Sequence, residues 1–422
     1  MDIQSLKAIE SLGFTGGRDS FKAFCATAFA GDTPRFLRNA ANELVIYRHE
    51  DLRAFGAMAE VGALPSGLMF SGLHDLPDDA PVPPGGGIGG VISNQVFTAN
   101  PPIHGPVRMT LWRQLNLKKA AEMEDTARLV VRGILHDIRA RSEIDFIEDV
   151  AEQLTARFWG QMIGMTREEI AATALAVRDM TSMFYIQMTM DDLQVADTAT
   201  AAYGKLVETA ALRSLAAGTH TLINELARDL AAIDLTDDPA EAGIVAKNVG
   251  KLLAGNLVDG FHTAAIAAAN TVFALLQNPG AMEELRAHPD KVGAAVMEAL
   301  RCEPPVIALK RYVLRDMTYA GITIPKGTTV MMLWAVGNHD PAVFDQPSQF
   351  QLDRDLRGAT TFGGGAHICV GRMVATMLVR VLLEELGAQD IRLALADDDY
   401  PWIGNHLMSQ MRHMPLKVNA AP

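Results

Sequence analysis

The stretch "TTFGGGAHICVGR", residues 360–372, places one cysteine, one histidine and three consecutive glycines just ahead of an apolar helical run. Cys369 is one of only three cysteines; with Cys25 and Cys302 it makes neither a CxxC pair nor a disulfide framework. Gly363, Gly364 and Gly365 let the backbone come close to something flat or bulky, because no side chain blocks the approach. Cys369 leaves this loop where a helix begins, and unpaired N–H groups at a helix start lower a thiol's pKa. A thiolate metal ligand is the chemistry such a position suits. The plainer reading is an inert cysteine buried beside a glycine turn.

Other pairs are spaced for chemistry. In "MEALRCEPP", Glu298 and Arg301 stand three apart on one helical face, either a surface pair or part of a buried network. "NPPIHGPVR" puts His104 and Arg108 four apart, and Arg311 follows in "LKRYVLRD". "KLLAGNLVDGFHTAAIAAANTVFALL" carries Asp259, His262 and Thr263 in an otherwise apolar helix, with Asp259 and Thr263 on the same face.

The elements that position these groups are mostly helices. From about 105 to 300 the pattern is helical, and Ala127, Val130, Val131, Ile134 and Ile138 recur on one face. Leu44 to Tyr47 reads as a short strand running into a helix. "MTYAGITIPKGTTVMML", residues 317–333, reads as strands around a Pro-Lys-Gly turn. A last helix starts near Val370. "DLPDDAPVPPGGGIGGVISN" is a long loop by its glycines and prolines. Gly85, Gly87 and Gly90 satisfy GxGxxG, but "PVPP" before them and "VISN" after them supply neither the strand nor the helix that a dinucleotide site needs.

Composition sets limits. The chain has 422 residues, 49% of them hydrophobic and 21% charged, with a formal net charge of −13. No basic footprint exists, so nucleic acid is not an expected partner. No run reaches about 18 consecutive apolar residues, and the start lacks a signal peptide's pattern, so the expectation is a cytoplasmic protein with reduced cysteines and no membrane association.

Phe362-Gly363-x-Gly365-x-His367-x-Cys369-x-Gly371 resembles, position by position, the haem-ligand loop of the cytochrome P450 superfamily. The resemblance runs from "YRHEDLRA" to "HMPLKV" and implies one domain over residues 1–422. The implied fold is mainly α with small β-sheets, the haem lying between the long central helix and the cysteine loop. It implies haem b (iron protoporphyrin IX) with Cys369 as the iron ligand, which pushes electron density toward oxygen. Phe362 would pack near the sulfur, Gly371 would complete the loop, and His104, Arg108, Arg311 and His367 would hold the propionates. Glu298 and Arg301 resemble the family's ExxR, with Arg354 in "FDQPSQFQLDR" as third member of a buried network.

The central helix departs from the family pattern of small residue, glycine, any residue, acid, threonine. Here it reads Asp259-Gly260-Phe261-His262-Thr263. Thr263 can donate and accept. His262 either relays protons or is a helix histidine turned elsewhere, and Asp259, four residues before Thr263, either relays or meets a partner, water or a substrate group. Gly255, Val258, Asp259, Val306 and Ile307 are expected to face the distal cavity, and "MTSMFYIQMTM" to cover it, unless its methionines are plain core.

The resemblance implies a monooxygenase inserting one oxygen atom from dioxygen into a small or medium apolar organic substrate. Electrons would come from a ferredoxin- or flavodoxin-type donor with its reductase. Arg113, Lys118 and Lys119 either dock that donor or form a solvated face. A peroxide-driven oxygenase, a coupling or rearranging enzyme, and a haem-binding sensor are the alternatives.

Overall fold

A computed structural model describes residues 2–68, 86–233 and 248–420. The central helix, Val249–Leu276, is apolar on nearly every side, and a helix without a polar face belongs in an interior. Asn248 starts it, its Oδ1 accepting the N–H groups of Gly250 at 2.8 Å and Lys251 at 3.2 Å. By length and composition this helix could cross a membrane, the sole such candidate among the described residues, but it lies largely buried inside the protein. Around it pack the helices Glu152–Ile163, Met190–Ala217, Val292–Cys302 and Arg372–Ala388. The helix Glu124–Ile138 turns the predicted face inward: Ala127, Val130, Val131, Ile134 and Ile138 are all buried.

Among the described residues the strands form three small sheets. β1 (Leu37–Arg38), β2 (Leu44–Ile46), β3 (Val61–Ala63), β5 (Leu309–Val313) and β8 (Thr329–Met332) form one sheet in the order β1-β2-β8-β5-β3. β2 and β8 run parallel, pairing Leu44 with Val330 and Ile46 with Met332, so residues near both ends of the chain share one ladder. β4 (Glu143–Asp145), β10 (Pro415–Ala420) and β9 (Ile391–Leu395) form a second sheet in that order. β6 (Met317–Tyr319) and β7 (Ile322–Ile324) make a hairpin. Its two turn residues, Ala320 and Gly321, have φ of 46° and 84°, the two positive values a tight hairpin turn requires.

Of the stretch read as a long loop, residues 75–85 lie outside the described residues, and the remainder needs correcting. Gly85 lies outside the described residues, but Gly87–Ile92 form a short helix with Ile88, Val91 and Ile92 buried. Gly87 packs so tightly on the helix Met190–Ala217 that a Cβ there would lie 2.1 Å from the Asp197 carbonyl oxygen. Close helix packing, not turn chemistry, explains that glycine.

Candidate active site

The cysteine loop is held from behind. Gly363 and Gly365 have φ of 72° and 67°, and a Cβ on Gly365 would meet the Gly56 carbonyl oxygen at 1.8 Å. Gly365 therefore serves an approach to the protein's own backbone, whereas the sequence suggested an approach to a ligand. The Cys369 N–H donates to the Phe362 carbonyl at 2.9 Å and closes the loop. Arg372–Ala388 follows, with Gly371 as its N-cap.

Behind the loop lies the expected buried network. Glu298 and Arg301 are fully buried and doubly bonded, with Arg301 Nε to Glu298 Oε2 and Arg301 Nη2 to Oε1 both 2.8 Å. Arg354 Nε donates to Glu298 Oε1 at 3.0 Å. Arg301 also donates to the carbonyls of Asn338 at 2.9 Å and Pro347 at 2.7 Å. Both charges are paired and further hydrogen-bonded, which is what a buried ion pair needs to be tolerated.

In front of the loop is a cavity of about 1070 Å³, at the upper end of the ~300–1,000 Å³ usual for small-molecule sites. It has room for a flat macrocycle and a second molecule. Cys369, Phe362, His367, Gly371, Arg108 and Arg311 line it, and so do Asp259 and Thr263 from the opposite wall. Cys369 has accessible surface only in the sense that it faces this internal space. Its thiol pKa is raised: burial outweighs the Gly371 N–H and the Arg108 and Arg372 charges that pull it down. The helix-start argument thus has the right sign but loses to desolvation, because the helix proper begins three residues later.

Arg108 and Arg311, with the neutral rings of His104 and His367 beside them, form a cationic rim. Among the described residues neither arginine pairs with a carboxylate. Arg108 donates to the Ile368 carbonyl. Arg311 is buried, donates to the Lys310 carbonyl at 3.1 Å, and packs over the Phe97 ring at 5.9 Å. Burial pushes Arg311 down to about 10. His104 is pushed down to about 4 by burial and the two arginines. Its ring lies behind His367, with centroids 4.1 Å apart, so it supports the cavity wall. His104 Nε2 and Trp334 Nε1 are buried and lack hydrogen-bond partners. Mutually repelling groups and orphaned donors around one cavity are what an absent dianion leaves behind. The residues fit a haem with two propionates above a cysteine sulfur.

The oxygen-side helix separates its two relay candidates. Asp259 lines the cavity, takes one hydrogen bond from Gln95 Nε2 at 3.3 Å, and is pushed up to about 7 by burial. Thr263 Oγ1 donates to the Asp259 main-chain carbonyl at 2.5 Å. His262 is turned to the neighbouring face. It stacks on Phe184 with centroids 4.9 Å apart and lines a separate cavity of about 30 Å³ with Asn270, Thr181 and Gln410, room for about two waters. Burial pushes it down to about 3. The structure does not bring His262 together with Asp259 and Thr263.

Of the other expected lining residues, Asp259 and Val306 face the cavity. Gly255 packs against the Asn94 backbone, and Val258 and Ile307 are core. Of the methionine-rich stretch, Met183, Phe184, Tyr185 and Met188 line the cavity, while Met180 is core and Met190 packs against a buried cluster. Gln95, Phe97 and Trp334 were not foreseen. "SNQVFT" carries no spacing signal, and Trp334 reads as ordinary core.

A mainly helical fold around a cavity with a cysteine floor, a cationic rim and an acid–threonine wall defines a haem-thiolate oxidoreductase. Residues 224–386 match the family described as cytochrome P450. The chain is 28% identical to a C-19 steroid 1alpha-hydroxylase of Sorangium cellulosum, over 70% of this chain and 73% of that one. It is also 28% identical to a vitamin D(3) 25-hydroxylase of Pseudonocardia autotrophica, over 82% of each. The structure of P450BioI with a hexadec-9Z-enoic acid-ligated acyl carrier protein shares the fold, with a TM-score of 0.78, 20% identity, and 95% of this chain and 99% of that one covered. The chain belongs to the cytochrome P450 superfamily, of the bacterial type, and is an oxidoreductase of its monooxygenase class.

Proposed function

We propose that this protein inserts one oxygen atom from dioxygen into a small or medium apolar molecule, with haem b held by Cys369. The observation that carries the reading is the facing of Cys369 and the Asp259–Thr263 wall across one cavity, inside a rim of unpaired cations. When bound, the haem would supply the reductive activation of dioxygen. Arg108 and Arg311 would fix its propionates by charge-assisted hydrogen bonds, with His367 beside them and His104 behind. Phe362 and Gly371 would line the sulfur's side.

The chain's remaining task is to place the substrate, exclude water and handle protons. Val96, Phe97, Leu257, Val306 and Met408 give the cavity apolar walls. Because the Thr263 hydroxyl hydrogen is committed to the Asp259 carbonyl, its lone pairs are free to accept from water. Asp259, raised to about 7, can hold and release a proton at neutral pH. His262 would act only through the small neighbouring cavity. The names of the steroid and vitamin D(3) hydroxylases support a medium-sized apolar substrate.

Electrons would come from a ferredoxin- or flavodoxin-type carrier with its reductase. Arg113 and Lys119 are engaged with the protein's own acids, at 3.2 Å to Asp229, Glu122 and Glu225. Lys118, with a 4.0 Å contact to Glu122, is the freest of the three for docking. We read the protein as one domain working in the cytoplasm, a compartment that suits its three unpaired cysteines.

The displaced His262 favours a second reading, an oxygenase driven by peroxide, which needs less proton delivery. Turnover with surrogate redox partners and NADH, compared with hydrogen peroxide alone, decides between them. Partner-driven product supports the monooxygenase, and product with peroxide only supports the alternative.

A further inference from the structure

A carboxylate in a cavity of apolar walls must be accounted for. Asp259 has about four acceptor positions, and Gln95 Nε2 at 3.3 Å fills one of them. Trp159 Nε1, against Gly260 in the same wall, makes no hydrogen bond to it, and the other neighbouring donors are engaged elsewhere. Thr263 Oγ1 donates to the Asp259 main chain at 2.5 Å. Tyr203 Oη donates to the Ala254 carbonyl at 3.0 Å. Asn256 Nδ2 donates to the carbonyls of Asn94 at 2.9 Å and Leu252 at 2.8 Å. No lysine or arginine pairs with Asp259 among the described residues. The cations of the cavity stand at the haem-propionate rim.

An ionised carboxylate left this way costs several kcal/mol unless a cation or donors meet it. Among the described residues the protein supplies one donor, Gln95, and no cation, and Asp259 lines the space left for substrate. At the outer end of the same cavity stand Glu10 and Glu43. Glu43 is already paired with Lys310 at 2.8 Å, while Glu10 accepts the Ala40 N–H at 2.8 Å. With Lys310 offsetting Glu43, Glu10 is left as the acid at this end, on a chain of net charge −13.

We propose that Asp259, steadied by Gln95, binds a protonated amine carried by an otherwise apolar substrate. This rests on the oxygenase reading and names its substrate class. Because the amine arrives already protonated, the proton that burial keeps on the carboxyl is released to solvent as the ammonium seats, which creates a charge-assisted hydrogen bond where a lone acid stood. The ammonium then fixes the molecule at one end, and the apolar remainder selects which carbon lies over the cysteine loop.

The test uses haem-loaded wild type, Asp259→Asn and Asp259→Ala, the last restoring the small residue usual at this position. Ligands are N,N-dimethyldecylamine and decanol, matched in length, with affinities from calorimetry and the direction of the Soret shift. The wild type should bind the amine about 10- to 100-fold more tightly than either variant, the range for hydrogen bonds to charged groups. Decanol should bind all three within a few-fold. The amine should move the Soret band the same way as decanol. A shift in the opposite sense would mean its nitrogen ligates iron, and would overturn the proposal. Equal amine affinity in all three proteins would overturn it as well, and so would loss of both ligands in variants that keep their haem. Decanol shifts and an intact carbon monoxide band throughout would leave the oxygenase reading standing even then.

Discussion

The Asp259 carboxylate and the Cys369 sulfur line one cavity, and the acid's charge works against ionisation of the thiol. Burial chiefly, and Asp259 with it, holds the thiol's pKa up, against the Gly371 N–H, Arg108 and Arg372.

Asp259→Asn should change stability with a defined sign. The folded-state pKa is raised to about 7 from 3.8, so the protonated acid's contribution is fully present below the unfolded value and lost as pH rises through 7. The wild type should therefore lose stability between about pH 4 and 7 relative to Asp259→Asn, by an amount on the order of a few kcal/mol. Melting midpoints across that range check it. Parallel curves would show that Asp259 has a partner when the cofactor is bound.

His262 works in the opposite direction. Its pKa is depressed to about 3 from 6.5, so its contribution is present above 6.5 and lost as pH falls toward 3, at up to about 1.4 kcal/mol per pH unit. His262→Gln should flatten the acid limb of the stability curve. The same variant should leave substrate-induced Soret shifts unchanged, because the ring lines a different cavity. Altered substrate binding would place His262 in the main site after all.

Truncating Glu298 to alanine strands Arg301, which has no solvent exposure. Breaking one partner of such a pair costs about 3–5 kcal/mol. The variant should lose haem and soluble yield, not merely turnover. Full haem content and an unchanged melting midpoint would show the network to be dispensable.

For Arg311 the haem-free and haem-loaded proteins should respond with opposite signs. Burial without an anion pulls its pKa to about 10, so Arg311→Met should leave the haem-free protein as stable or more so. Haem retention should fall, since a propionate loses its guanidinium. Haem transfer to apomyoglobin measures the second effect, and chemical denaturation of haem-free protein the first. Faster haem loss together with a destabilised haem-free protein would make Arg311 structural.

Legibility followed spacing. The cysteine loop, the Glu298–Arg301 pair and the inward face of Glu124–Ile138 were all readable, because each is a fixed spacing on one local element. Arg354, 53 residues beyond Arg301 in the sequence, was placed through resemblance and not spacing. Gln95 was invisible, since its contact with Asp259 joins residues 164 apart. The orientation of His262 was undecidable from a helix apolar on all sides, where periodicity marks no face. Gly87 read as loop because glycine's local preference hides a packing requirement set by Asp197.

The central claim is that Cys369 ligates haem iron as a thiolate, and carbon monoxide binding to the reduced protein tests it most directly. The wild type should show the long-wavelength Soret band of thiolate-ligated haem, and Cys369→Ser should lack it. A wild type that takes up haem and binds carbon monoxide without that band would contradict the account.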